Sequence, residues 1–313
     1  MKKTKMGDFM SQAFFTVQCP ACGKELNIPA ELDTFSCMYC GERLSKDHFV
    51  PQVPATEGET GKAFYQAHIL QAITDYFGID KQVTNSEYAE AFSRYTQGNA
   101  ETFRQLDAAV RAGVYSEDEA AAFFLDELQQ HWQEDKQRKM RKSVMLDTDK
   151  FVIAVFLVPM VRELKLSVSE TYCQALQNLW CTRYPKTPFY LGTYDEMTAG
   201  FQKKLLGLCF ITTAICRYEG KPDDCEELTA FRAFRDGYLR SCPDGEALIA
   251  KYYDIAPGIV LHLDLAHDKD AAYTALRNNY LSPCYEDLQH GRLQQCKERY
   301  TEMVRTLERK YLT

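Results

Sequence analysis

No run of apolar residues in this 313-residue sequence is long enough to cross a bilayer. The most apolar stretch, Phe151 to Val161, is bounded by Asp149, Lys150, Arg162 and Glu163 and contains Pro159. A membrane-spanning helix needs roughly twenty apolar residues, so this stretch is expected to be a buried core helix. Lys2, Lys3 and Lys5 are followed, from Gly7 to Gln18, by no sustained apolar segment, so no secretory signal is expected. A positive surplus is missing too. Against 37 Lys and Arg stand 44 Asp and Glu, a formal net charge of −7, which argues against a surface given over to nucleic acid. No period of roughly twenty to fifty residues recurs, which argues against a repeat array. Beyond the N-terminal region no alternating apolar and polar segment is long enough to predict a strand.

What is present is cysteine: the chain has 12. Most are scattered through helical patterns without a compact disulfide framework, so a reducing cytoplasm is the expected setting. Four have a different arrangement. Cys19-Pro20-Ala21-Cys22-Gly23 is followed by Cys37-Met38-Tyr39-Cys40-Gly41, two tight turns that can each aim two thiolates at one ion. The glycine after each second cysteine lets the backbone turn and point amides at sulfur. Four sulfurs suit tetrahedral Zn2+ held structurally, with no position left for a substrate. Short strands are expected at Lys24 to Ile28 and Thr34 to Ser36. The expected organisation is an N-terminal arm over 1–18, a zinc ribbon over 19–48 and a linker over 49–61. The linker is read from Pro51, Pro54, Gly58 and Gly61.

From residue 62 the pattern is helical. Ala63, Ala67, Leu70, Ile73 and Phe77 predict one face of a first helix ended by Gly78. Thr84 with Glu87 and Ser116 with Glu119 have capping-box spacing, and so do Ser167 with Glu170 and Thr193 with Glu196. A shorter helix is expected near Asn99, and a long one from Ser116 to about Lys142 with Ala120, Phe124, Leu128 and Trp132 buried. Its basic tail, Lys136 to Lys142, offers a site for phosphate or an acidic partner. The simpler reading is that it complements the helix dipole. Near the C-terminus, Cys296, Tyr300, Met303 and Leu307 form a stripe expected to dock on the body, or else to make a homo-oligomer or partner contact.

The segment 208–260 concentrates unusual residue choices. Cys209-Phe210-Ile211-Thr212-Thr213-Ala214 opens it, Arg232, Phe234-Arg235-Asp236 and Leu239 follow, and Gly245, Tyr252-Tyr253 and Pro257 close it. This pattern resembles the CFI-box carboxy-terminal domain family of bacterial proteins, departing from it at Ile215-Cys216-Arg217. The resemblance implies a domain and carries no activity with it. On the residues themselves, Cys209 is a candidate nucleophile, which would need His262, His267 or His290 as its base. The competing reading is a small buried cysteine between Leu208 and Phe210. Arg232, Arg235 and Asp236 are read as an anion site or as buried ion pairs. A second metal at His262, Asp264 and His267 matches no strong spacing.

Together these features predict a mainly α protein, with an all-helical body over 62–313 and a small N-terminal β zinc ribbon. The expected role is that of a non-enzymatic adaptor or scaffold contacting other proteins. A thiol-dependent enzyme using Cys209 is the alternative, and nucleic-acid binding through the ribbon and Lys136–Lys142 is a weaker one.

Overall fold

Phe14–Gln18 (β1) pairs antiparallel with Glu25–Pro29 (β2), Val17 lying opposite Leu26, and Thr34–Ser36 (β3) pairs with Arg43–Ser45 (β4), Phe35 lying opposite Leu44. The computed structural model describes residues 14–29, 32–45, 53–134, 142–202 and 209–313. The chain divides into the units Met1–Val53 and Pro54–Thr313. In the first, the two hairpins bury Leu26, Ile28 and Leu44 with Cys19 and Cys37. The stretch read as an N-terminal arm therefore supplies β1, because the turn at Cys19 needs a strand on each side. Strands β1 and β4 are too short to show a periodicity of their own.

The second unit is helical, and its first helix begins inside the stretch read as linker. Ala55–His68 (α1) follows Pro54 and contains Gly58 and Gly61, both buried. A Cβ on Gly58 would lie 2.3 Å from the Ala112 side chain, and one on Gly61 would lie 2.4 Å from the Gln105 carbonyl. These glycines are contact residues for Tyr88–Arg111 (α3), not breakers. The buried face therefore runs through Gly58, Gly61, Tyr65 and Ile69 to Ala72 and Ile73 in Gln71–Thr74 (α2). Ala63 and Ala67 are exposed, as is Phe77. Gly78, at φ +84°, ends this region as expected.

Thr84 and Glu87 form the capping interaction ahead of α3, the Glu87 amide donating to Thr84 Oγ1 at 3.2 Å. α3 then runs unbroken through Asn99, where a new helix was expected. Its Gly98 admits the Tyr76 hydroxyl, which a Cβ would meet at 1.9 Å. Glu117–Glu134 (α4) carries the second capping box, with the Ser116 amide 2.9 Å from Glu119 Oε2, and buries Ala120, Phe124, Leu128 and Trp132 as predicted. Lys136–Lys142 lies outside the described residues except for the backbone of Lys142, which opens Lys142–Val152 (α5).

α5 passes through a π-helical turn, Ile153–Leu157, into Val158–Glu163 (α6), and Phe151 to Val161 is buried throughout. The wide turn accommodates Pro159, which has no N–H for the Val155 carbonyl. Around this rod pack α1, α3 and α4, together with Ser169–Arg183 (α7) and Tyr194–Gln202 (α8). The capping box at Thr193 and Glu196 forms. The one at Ser167 does not. The Ser167 hydroxyl donates instead to buried Asp107 at 2.5 Å, and the Leu166 amide donates to Ser169 Oγ at 3.0 Å.

A second core gathers the remaining helices: Phe210–Tyr218 (α9), Glu226–Phe234 (α10), Gly245–Leu265 (α11), Lys269–Leu276 (α12), Ser282–Gln289 (α13) and Leu293–Tyr311 (α14). Two more π turns, Arg235–Leu239 and Arg277–Leu281, interrupt it. Helix α14 docks on this core through Cys296, Met303 and Leu307. α11 also reaches the first core. The Asn85 amide donates to the Asp254 carbonyl at 2.9 Å, and His262 stacks on Phe151 at 3.8 Å between ring centroids. None of the helices among the described residues is long and apolar enough to cross a membrane.

Candidate metal centre and the Cys209 cavity

The two cysteine turns are built alike. Cys19 N donates to the Lys24 carbonyl at 2.9 Å and Gly23 N to the Cys19 carbonyl at 2.8 Å. Cys37 N to Glu42 and Gly41 N to Cys37 repeat the pattern, each at 2.8 Å. Both turns need a residue at positive φ, and Gly23 at +69° and Gly41 at +78° supply it. The result brings four sulfurs together. Cys19 Sγ lies 3.7 Å from Cys40 Sγ, Cys22 Sγ lies 3.7 Å from Cys37 Sγ, and all four fall within 4.8 Å of one another. A metal with sulfur ligands at about 2.3 Å in a tetrahedron requires sulfurs about 3.8 Å apart, so this cluster has the dimensions to hold one metal ion. A disulfide would bring two sulfurs to about 2.05 Å, and all 12 cysteines are free.

The thiols differ: against the pull of backbone amides, burial and the neighbouring sulfurs push Cys40 up to about 12 and Cys22 up as well, whereas Cys37 is lowered. Burial pushes the Cys37 thiol up, but the amides of Cys40 and Tyr39 pull it down to about 7, the Tyr39 amide lying 3.4 Å from the sulfur. Cys19 and Cys37 are buried, whereas Cys22 and Cys40 face solvent. The second turn also exposes its two intervening side chains, Met38 at 73% and Tyr39 at 60%.

Cys209 sits immediately before α9 in the second core and is 5% exposed. Arg235 begins its π turn opposite the thiol. Its Nη1 donates to Cys209 Sγ at 3.6 Å and to the Tyr253 hydroxyl at 3.0 Å, while Nε and Nη2 grip Asp236 at 2.8 and 2.6 Å. The neighbouring Tyr252 hydroxyl accepts the Ile211 amide at 2.9 Å and a hydrogen bond from the Tyr300 hydroxyl at 3.3 Å. Cys209, Ile211, Phe234, Arg235, Tyr252 and Tyr253, scattered over forty-five residues of sequence, therefore meet in one place. Beside them lies a cavity of about 270 Å³, walled by α10, α11 and α14.

Comparison with family models, curated proteins and solved structures finds no match.

The three histidines weighed as a base lie elsewhere. His262 is stacked between Phe151 and Tyr311, its Nε2 3.0 Å from the Asp80 carbonyl oxygen. His267 is held by Asp147, and His290 Nδ1 lies 2.8 Å from the Glu286 carbonyl oxygen. Burial pushes the Cys209 thiol up against the opposing pull of Arg235. The second metal site is not formed. Asp264 accepts the Tyr273 hydroxyl and pairs with Lys269, and among the described residues the four-cysteine cluster is the one group that could hold a metal.

The charged residues near Cys209 divide unexpectedly. Arg235 pairs with adjacent Asp236, whereas Arg232 donates to the Asp223 carbonyl at 2.7 Å. One ion pair that ties this core together is not foreshadowed in the sequence. Buried Glu227 of α10 accepts Arg277 Nη2 at 2.8 Å and pairs with Lys221 at 2.9 Å. The residues α14 brings to the cavity, Tyr300, Thr301, Val304, Arg305 and Glu308, were also missed. Tyr300 stood in the apolar stripe, but the stripe alone does not say what it faces.

Proposed function

We propose that this protein is a non-enzymatic adaptor whose N-terminal ribbon carries one structural zinc ion and docks another protein. Four thiolates form a soft, closed donor set that suits zinc and leaves no coordination position for a substrate. The observation that carries the docking reading is the exposed Met38–Tyr39 pair on the second cysteine turn. Apolar side chains held on a metal-fixed turn suit a protein surface. Phosphate binding is poorly served there, because Lys24 and Arg43 are opposed by Glu25, Asp33 and Glu42 among the described ribbon residues. The helical body, which resembles the CFI-box domain at Cys209, Arg235 and Tyr252-Tyr253, would present a second contact surface, and the expected setting is the cytoplasm.

The test pairs metal analysis with recovery of partners from the native cell. The reading requires one zinc per chain, lost in Cys19→Ser/Cys37→Ser. It also requires a partner recovered with the parent protein and lost with Met38→Asp/Tyr39→Asp, which keeps its zinc. Equal recovery by both proteins overturns docking through this turn. Retardation of nucleic acid at moderate salt would favour the Lys136–Lys142 alternative instead.

One observation favours a second reading, a thiol-dependent enzyme: a guanidinium contacts Cys209 Sγ beside a cavity. That reading requires Cys209→Ser to abolish the cellular phenotype while thermal unfolding and partner recovery stay unchanged.

A further inference from the structure

The cavity beside Cys209 has the character of a ligand site independent of the ribbon. Its buried lining is Cys209, Phe231, Phe234 and Ile249 with Arg235, so its inner wall is apolar apart from that one guanidinium. The exposed residues that line it are both cationic, Lys251 and Arg305. They differ in their engagements. Lys251 is neutralised by Glu308 at 2.6 Å, whereas Arg305 makes no hydrogen bond or ion pair among the described residues. Inside, the Arg235 guanidinium is already occupied by Asp236 and Tyr253. One positive charge with no hydrogen-bonded or ion-paired partner among the described residues, and only Asp244 acting on it at longer range, therefore stands at the exposed part of the hollow. The one lining acid there, Glu308, is paired with Lys251.

Size narrows the ligand. An apolar cavity of about 150 Å³ accepts benzene, so a hollow nearly twice as large accommodates about ten to twelve heavy atoms. Apolar burial supplies affinity in such a site, and one or a few polar groups fix orientation. We propose that this cavity binds an amphipathic carboxylate of about ten carbons, its chain lying against Phe231, Phe234 and Ile249 and its carboxylate meeting Arg305. Tyr252 and Tyr300, whose hydroxyls bond each other, tie α11 to α14 at the site. Binding there would tie α10, α11 and α14 together, so ligand would be felt across the second core.

The experiment titrates the full zinc-loaded protein with decanoate, decan-1-ol and butanoate by calorimetry. Decanoate is expected to bind one per chain, and butanoate, which leaves most of the hollow unfilled, to show no measurable heat. Arg305→Glu is expected to weaken decanoate by about fivefold, the order of one exposed charge interaction, and to leave decan-1-ol unchanged. Val304→Trp, which fills the hollow, is expected to abolish both, with thermal unfolding showing that the chain still folds. No decanoate binding by the parent protein overturns the proposal. So does unchanged binding in a folded Val304→Trp. If Val304→Trp does not fold, the Arg305→Glu comparison still decides, because equal losses for acid and alcohol, or none for either, refute a carboxylate site. Zinc content is measured in every sample, so failure here is separable from failure of the ribbon reading.

Discussion

The Tyr88 hydroxyl donates to the Val155 carbonyl at 2.8 Å, reaching from α3 into the centre of the apolar rod that α5 and α6 form. This acceptor is the one Pro159 cannot serve, since proline has no N–H to return to the carbonyl four residues earlier. The neighbouring π turn gives Ile153 a partner by a longer route, the Val158 amide, and Tyr88 supplies a donor to Val155. Sequence, backbone geometry and tertiary packing thus meet in one hydrogen bond.

Tyr88→Phe keeps the ring, its packing on Phe156 and its burial, and removes this donor alone. A buried carbonyl left without a partner costs about 1–3 kcal/mol. Denaturant unfolding should show a loss of that size with an unchanged slope, and helical circular dichroism should stay the same. A loss below about 0.5 kcal/mol would mean that the carbonyl finds another donor, and that the bond does not offset the proline as described.

Gly61→Ala makes the complementary test on α1. Alanine is the better helix former by about 1 kcal/mol, so an open site would be stabilised by the change. Here the new methyl would fall 2.4 Å from the Gln105 carbonyl, and backbone cannot swing aside as a flexible side chain can. Forcing α1 away from α3 should cost about 1–3 kcal/mol. The sign of the change in midpoint is the readout, and a stabilised Gly61→Ala protein would return this stretch to the status of a linker.

His262 gives one separable part of the pH dependence. Burial, opposed by its contact with the Asp80 carbonyl, lowers its pKa from 6.5 to about 4, so the folded protein holds the ring neutral. Between those values the unfolded chain binds the extra proton. The contribution to stability is therefore complete above about pH 6.5 and is lost as pH falls toward 4, with a span of roughly 3 kcal/mol. His262→Phe preserves stacking between Phe151 and Tyr311 and removes the titration. The variant should be less stable at pH 7, because the Asp80 contact is gone, and should lose the rise in stability between about pH 4 and 6.5. The buried Asp80 carboxyl, pushed up to about 6, acts in the opposite direction over the same window and is common to both proteins. Parallel stability–pH curves for the two proteins would refute this account.

What could be read in advance was what is local. The cysteine turns repeat a four-residue pattern with glycine next, and Thr84–Glu87, Ser116–Glu119 and Thr193–Glu196 each close within three residues. Ser167 has the same spacing to Glu170 but finds Asp107, sixty residues back, which no local pattern reports. Glycine was the most misleading residue. Gly58 and Gly61 carry the composition of a linker, and their meaning as contact points depends on Ala112 and Gln105, which only the folded chain supplies. The cavity was hidden for the same reason. Cys209 and Arg305 are almost a hundred residues apart, and neither implies the other. The three π turns left no signal beyond the prolines at 159 and 283 that follow two of them.

Chelation should separate the two units. Among the described residues the ribbon buries Cys19, Leu26, Ile28, Cys37 and Leu44, a core too small to outweigh the conformational entropy of ordering its hairpins. If zinc binds as proposed, most of the ribbon's folding free energy is metal binding, and removing the ion should unfold residues 14–45 outright. The helical body has its own cores of large buried side chains, Trp180, Tyr172 and Phe156 among them. A strong chelator should abolish amide protection in the ribbon and open it to proteolysis, while the helical signal and main thermal transition of the body stay where they were. Cys22→Ser should reproduce the effect without chelator, since three sulfurs leave the tetrahedron open. Retained ribbon protection in the metal-free protein would show that the hairpins hold themselves together, and the ion would then be a passenger on a preformed fold.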